Sequence, residues 1–243
     1  MKIISGVYWD RGRRSENQDS LVLEQVFTRR GRVLLAAVSD GIGGLDEGET
    51  ASGFILEKLL ESFYHQMVYL IGQGKGGKAL ERCVLRCFFE TSQMLGKYAK
   101  SREIKLGATV SVLIIWRRNY LTAHLGDSRI YRFTDRKGVR QITRDHSDGG
   151  CALTRCLGSF PYQPPDLCRG RIRGKNGFLL CSDGFFHFLE KGMLTEMLGI
   201  DEITDEEQIE RRLRELAGYG IRRGEEDNSS ALYVCCGKRG KYP

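Results

Sequence analysis

Apolar residues recur along the chain in two rhythms. Short apolar or β-branched runs at residues 2–8, 21–27, 32–38, 108–116, 120–125, 129–133, 139–142, 178–182 and 230–236 predict strands, with turn residues between them. Three- and four-residue steps mark helices instead. Ala51, Ile55, Leu59, Phe63, Met67 and Leu70 lie on one such face. Leu80, Val84, Cys87, Phe88, Met94, Leu95 and Tyr98 lie on another, within a helix over 78–100. A helical piece at 185–198 and a helix at 205–216 follow, the latter with Thr204 as N-cap, Glu207 completing a capping box and Gly218 placed to end it. Asp46, Glu47 and Glu49 suit the positive end of the first helix. Residues 143–177, with Pro161, Pro164 and Pro165, read as irregular.

The strands at 108–142 are joined by turns too short for a parallel crossover, which needs about a dozen residues or more. They predict an antiparallel meander and exclude a nucleotide-binding parallel sheet. Paired amphipathic helices need a sheet to cover. The predicted class is therefore α+β: two stacked antiparallel β-sheets flanked by helix pairs, in one domain spanning 1–243.

Composition narrows the setting. The chain is 41% hydrophobic and 28% charged, which excludes a disordered polymer. No apolar run reaches the roughly 18 residues of a membrane span, and the N-terminus lacks a signal-peptide core, so a cytoplasmic protein with no membrane partner is expected. The eight cysteines show no C-x-x-C pair and read as reduced thiols; Cys83 and Cys87 sit at helical spacing as small hydrophobes. A formal charge of +7 attracts acidic partners, but the basic residues are dispersed and lack interleaved aromatics, so no nucleic-acid partner is expected.

The chemistry begins where apolar runs end in carboxylates. Leu34–Val38 leads into Ser39-Asp40-Gly41-Ile42-Gly43-Gly44, and Phe178–Cys181 leads into Ser182-Asp183-Gly184. Asp227-Asn228 precedes a third apolar run at 231–236. For one Asp-Gly a tight turn is the plain alternative. Three such sites together suggest carboxylates delivered to one place, where hard oxygen ligands suit Mg²⁺ or Mn²⁺.

Eight motifs, in order and along nearly the whole chain, then match one family. They are Arg14-x-x-Asn17-Gln18-Asp19, Ser39-Asp40-Gly41-x-Gly43-Gly44, Gly107-Ala108-Thr109 and Gly126-Asp127-Ser128-Arg129, followed by Thr143-x-Asp145-His146-Ser147, Leu153-Thr154-Arg155-Cys156-Leu157-Gly158, Cys181-Ser182-Asp183-Gly184 and Asp227-Asn228-Ser229-Ser230. The chain resembles the bacterial form of the metal-dependent type 2C protein phosphatases. The resemblance implies a serine/threonine phosphatase in which a hydroxide bridging two Mn²⁺ or Mg²⁺ ions attacks phosphate in line, without a phosphoenzyme. It implies Asp40, the Gly41 carbonyl, Asp183 and Asp227 as metal ligands, Asp127 as ligand of a third, weaker metal, and Arg14 as the grip on phosphate. Gln18, Asp19 and Asn228 would lie just behind the ligands. The implied partners are phosphorylated proteins, substrates of a serine/threonine kinase, met by a monomeric enzyme. A catalytically silent phosphoprotein-binding module of the same fold is the alternative.

The chain departs from the pattern in places. Ile42 stands where many members carry a proton-donating His, and Gln18 stands where Glu is common. The flap near 147–153 is short, with Asp148 beside it as a carboxylate without a role. Arg11 and Arg13 flank Arg14 as competitors for the phosphate. His146 reads as structural, and His65, His124 and His187 as helix or strand residues. Gly72-Gln73-Gly74-Lys75-Gly76-Gly77-Lys78-Ala79 nearly spells a nucleotide-binding loop, but it lacks a preceding strand and a final Ser or Thr, and reads as the turn of a helix hairpin.

Overall fold

The computed structural model describes residues 1–42, 47–135, 138–148, 152–201 and 203–237. Gly43, Gly44, Asp46 and Cys151 therefore lie outside the described residues. Among the described residues ten strands form two five-stranded sheets, ordered β1-β10-β9-β6-β7 and β2-β3-β4-β5-β8, with every pairing antiparallel. In the first sheet are β1 (Lys2–Asp10), β6 (Arg129–Thr134), β7 (Gly138–Gln141), β9 (Asn176–Cys181) and β10 (Ser229–Gly237). In the second are β2 (Asp19–Thr28), β3 (Gly31–Asp40), β4 (Val110–Trp116), β5 (Asn119–Leu125) and β8 (Asp166–Arg171).

Helices cover both outer faces, so the expected class holds. A helix pair lies on the second sheet: α1 (Gly48–Ser62), continued through a wide turn at Phe63–Met67 into α2 (Val68–Gly72), and α3 (Lys78–Arg102). On the first sheet lie α4 (Asp183–Phe186), α5 (Lys191–Leu198) and α6 (Glu206–Arg222).

Strand periodicity explains the layering. In β3, Leu34, Ala36 and Val38 point between the sheets while Val33, Leu35 and Ala37 face α1 and α3. In β10, Leu232, Val234 and Cys236 point inward while Ala231, Tyr233 and Cys235 face the other helices. A strand buried on both faces must read as a continuous apolar run, as these do. The seven described cysteines are free thiols, Cys83 and Cys87 among those buried.

Four expectations change. The strand run at 108–142 is not one meander: β4 pairs with β5 and β6 with β7, but β5 and β6 belong to different sheets. The turn at Gly126 makes the change of layer, at a φ of +108° that favours glycine. The segment 143–177 is not wholly irregular, because β8 pairs with β5 at the sheet edge. Its two basic side chains, Arg169 and Arg171, suit an edge and hide the strand from an apolar pattern. The helical piece at 185–198 is two helices, and the last helix is capped one residue later than expected. Asp205 accepts from the Gln208 N–H at 2.8 Å, and the helix runs through Gly218 to Arg222, its buried face extending to Gly220.

Candidate active site

Strand ends build the site. Asp40 ends β3, Asp183 follows β9, Asp227 precedes β10, and Asp127 lies in the turn where the chain changes sheets. All four carboxylates line one cleft of about 450 Å³, together with Arg14, Gln18, the Gly41 backbone and Asn228. Ile42, Thr109, Ala152, Leu153 and Cys156 complete its walls.

Three of the four are held from behind, Asp40 through its backbone and Asp183 and Asp227 through their carboxylates. The Asp40 N–H donates to Thr109 Oγ1 at 3.1 Å, and the Thr109 N–H returns a bond to the Asp40 carbonyl at 2.8 Å. Gly41 donates its N–H to the Gln18 carbonyl at 3.0 Å, and a Cβ on Gly41 would collide with the Gly48 backbone. Glycine is required there because α1 begins against it. The Asp183 Oδ1 accepts from the Gly184 N–H at 2.6 Å, and a Cβ on Gly184 would collide with the Asn228 carbonyl. Asp227 Oδ1 accepts from the Asn228 N–H at 2.8 Å, while its Oδ2 takes Arg14 Nη2 at the same distance.

Asp19 pairs with Asp40 across β2 and β3 and is 2% exposed. Its Oδ2 accepts from Ser182 Oγ at 2.8 Å, and its Oδ1 has no partner among the described residues. Asn228 staples the arginine-rich loop: its Oδ1 accepts from the Gln18 N–H, and its Nδ2 donates to the carbonyls of Arg11 and Glu16. Arg14 alone of the three neighbouring arginines lines the cleft. Arg13 pairs with Glu226 at 3.1 Å and Arg11 bonds the Ser15 carbonyl.

Burial and mutual repulsion raise the proton affinity of four acids, Asp19, Asp40, Asp127 and Asp183. Asp40 is pushed well up by burial, then by Asp19, Asp183, Asp127 and Asp227. Asp183 is raised by burial and then by Asp227, and Asp127 is pushed up to about 6 by burial and Asp183. Asp19, despite its hydroxyl partner, is raised to about 6 by burial. Against these stands Arg14, its own affinity for a proton raised by the bond to Asp227.

That excess of carboxylate over cation is the condition a divalent ion relieves, and every donor is a hard oxygen. The donor set therefore fits Mn²⁺ or Mg²⁺. Among the described residues no three acidic, His or Cys side chains are already grouped as a ligand set. Asp227 is turned to Arg14 and Asp183 to its neighbouring N–H, so loading would exchange these contacts for the ion.

Behind the Asp127 turn lies a cluster the sequence marked only as structural. The Gly126 N–H donates to His146 Nδ1 at 3.1 Å, and the His146 N–H returns to the Gly126 carbonyl at 2.8 Å. His146 Nε2 meets Asp166 at 3.1 Å, and Arg155 joins both. The ring of His124 packs on that of His146, with centroids 4.9 Å apart. The short flap closes through a bridge between Ser147 and Leu153, while residues 149–151 lie outside the described residues. Asp148 is not among the cleft-lining residues. Sequence reasoning missed Thr109 and Ser182 as supports for the carboxylates; each stood inside a quoted motif.

Residues 10–225 match the family model described as protein phosphatase 2C. The chain belongs to the protein phosphatase 2C family. The Listeria welshimeri serine/threonine phosphatase stp is 27% identical over 252 residues, covering 93% of this chain and 92% of that protein. PstP of Mycobacterium tuberculosis is 26% identical over 92% of this chain, which spans 43% of PstP. Among solved structures, a bacterial serine phosphatase superposes with a TM-score of 0.82 at 22% identity, covering 97% of this chain and 99% of that one. The PstP catalytic domain, solved in complex with two manganese ions, gives 0.76 at 24% identity over 96% of this chain and 97% of that one. No helix among the described residues is long and apolar enough to cross a membrane.

Proposed function

We propose that the protein hydrolyses phosphoserine and phosphothreonine in phosphorylated proteins, the products of a serine/threonine kinase, as a monomeric single-domain enzyme dependent on Mn²⁺ or Mg²⁺. One observation carries this reading: Asp40, Asp127, Asp183 and Asp227 leave different strand ends and line a single cleft with Arg14. Asp40, the Gly41 carbonyl, Asp183 and Asp227 would hold two ions, and Asp127 with Asp183 a third. A pair of bound ions supplies an acidified water as nucleophile and offsets the charge of the phosphate.

The chain's own groups do the rest. Arg14 presents a planar fork to two phosphate oxygens once it leaves Asp227. Thr109 and the glycines at 41 and 184 hold the carboxylate-bearing backbones close together. Ile42 lines the cleft beside Gly41 and cannot donate a proton, so it cannot act as general acid for the leaving alkoxide. No side chain needs to be phosphorylated for in-line attack.

The test is hydrolysis of a phosphothreonine peptide with Mn²⁺, with EDTA, and with Asp183→Asn. Activity is expected in the first case alone. Turnover that survives chelation overturns the reading, as does inactivity with every divalent ion.

A further inference from the structure

The glycine-rich turn before α3 forms a second site, at the pole of the sandwich away from the carboxylate cleft. Asp40 ends β3 at one pole, whereas Trp116 pairs with Val33 near the other end of that strand. A cavity of about 290 Å³ lies here, lined by Arg30, Gly76, Gly77, Trp116, Arg117 and Arg169 among others.

The glycines are there because donors press on them. A Cβ at Gly74 would stand 2.8 Å from the Arg30 guanidinium carbon, one at Gly76 2.7 Å from Trp116 Nε1, and one at Gly77 2.9 Å from Arg169 Nη1. These three residues therefore converge on one short loop. Trp116 is 6% exposed, and none of the described residues accepts its indole N–H, which can only donate. The loop ends at Gly77, the N-cap of the 25-residue α3, where no side chain caps the first N–H groups. Those groups carry the positive end of the helix.

One acid is present: Glu81 pairs with Arg169 at 3.2 Å. Arg30 donates Nε to the Gly72 carbonyl, which leaves its terminal nitrogens for the cavity. Arg117 has no ion-pair partner among the described residues and sits at a φ of +54°, a strained setting for a residue with a side chain. An adjoining cavity shares Arg30, Arg117 and Asn119 and adds Arg32, whose Nε is buried without a partner.

We propose that this cavity binds a phosphate-type dianion, either free inorganic phosphate or the phosphate of a phosphorylated side chain. Forked guanidiniums and a lone indole N–H are a donor set such an oxyanion takes, and the N-cap of α3, Gly77, lines the same cavity. A concave pocket of this size suits a single phosphate rather than the string of phosphates on a nucleic acid. The binding needs no hydrolysis, so it is separable from the chemistry of the cleft.

The test uses the full chain carrying Trp9→Phe, which leaves Trp116 as the sole tryptophan. Its emission is followed as inorganic phosphate replaces chloride at constant ionic strength. A saturable change is expected, weakened at least tenfold in the Arg30→Ala/Arg117→Ala double variant. The same pair of substitutions in the otherwise unaltered chain should leave the melting temperature and p-nitrophenyl phosphate hydrolysis in place. Gly76→Ala, which sets a methyl group against Trp116 Nε1, should also abolish the response. A phosphothreonine peptide added in EDTA distinguishes the source: competition by the peptide supports a protein-borne phosphate, and its failure to compete supports the free anion. The proposal is overturned if phosphate gives no saturable change, or if the double variant responds like its parent. It is also overturned if single-stranded DNA saturates the signal where phosphate does not.

Discussion

Arg14 and Asp227, 213 residues apart in sequence, meet at 2.8 Å across the mouth of the cleft. The pair is about half exposed, so the contact itself adds little to stability. Its value lies in holding a guanidinium over the acids. Arg14→Ala should lower kcat/KM for a phosphopeptide by about 10- to 100-fold, the range of one charge-assisted hydrogen bond. Arg14→Lys should recover part of the loss, since it keeps a point charge without the fork. Arg13→Ala should leave the kinetics unchanged, because Arg13 is turned to Glu226. Steady-state kinetics on the three variants checks this, and a wild-type Arg14→Ala would refute it.

Asp19, Asp40, Asp127 and Asp183 bind protons more tightly in the folded chain than their ordinary value of 3.8. A raised carboxylate stabilises the fold most below its unfolded pKa, and that contribution is lost as pH rises through its folded pKa. For Asp19 and Asp127 the window runs from about 4 to about 6. Divalent ions need the same groups deprotonated. The gain in melting temperature on adding Mn²⁺ should therefore grow between pH 5 and pH 7.5. His124, held neutral down to about 4 chiefly by burial, acts equally on both arms and cancels in the difference. A Mn²⁺ gain that is flat or falls across this range, read by scanning calorimetry, would count against the cluster.

Ser182 is buried and used twice. Its hydroxyl donates to Asp19 at 2.8 Å and accepts from the Ser230 N–H at 3.0 Å. Ser182→Ala strands both partners inside the protein and should cost about 1–3 kcal/mol in urea denaturation. Ser159→Ala, which loses one bond to the Cys156 carbonyl, should cost less than Ser182→Ala.

The legible parts of the molecule were those where one local rule dominates. Buried strands such as β3 and β10 must be apolar on both faces, and a carboxylate at their ends interrupts the run, so Asp40, Asp183 and Asp227 stood out. The helix pair over 48–102 showed itself by period. The rest was hidden where the deciding partner is remote. The edge strand β8 takes its order from β5, not from its own residues. Asn228 looked like an accessory to Asp227, yet it staples a loop some 210 residues away. The loop at 72–77 is the hairpin turn its sequence suggests, but Arg30, Trp116 and Arg169 arrive there from the β2–β3 turn, β4 and β8.

The turn that carries Asp127 admits one more prediction. Gly126 has a φ of +108°, and an added Cβ would stand 2.5 Å from Thr109 Cβ. Gly126→Ala should cost more than about 2 kcal/mol by strain and crowding, and should weaken Mn²⁺ binding measured by calorimetry. His146→Phe leaves the Gly126 N–H unmet and should move both quantities the same way, by a smaller amount.

Because the chain crosses between layers beside Asp127, the acids arrive from both halves of the sandwich: Asp40 from one, Asp183 and Asp227 from the other. With the ligands proposed above, the ions would draw oxygens from both halves. Capture of the metal by that set would serve as a checkpoint on assembly, passed only when the halves have closed on each other. Any slow breathing of that seam would release the ions and silence the enzyme in a single event.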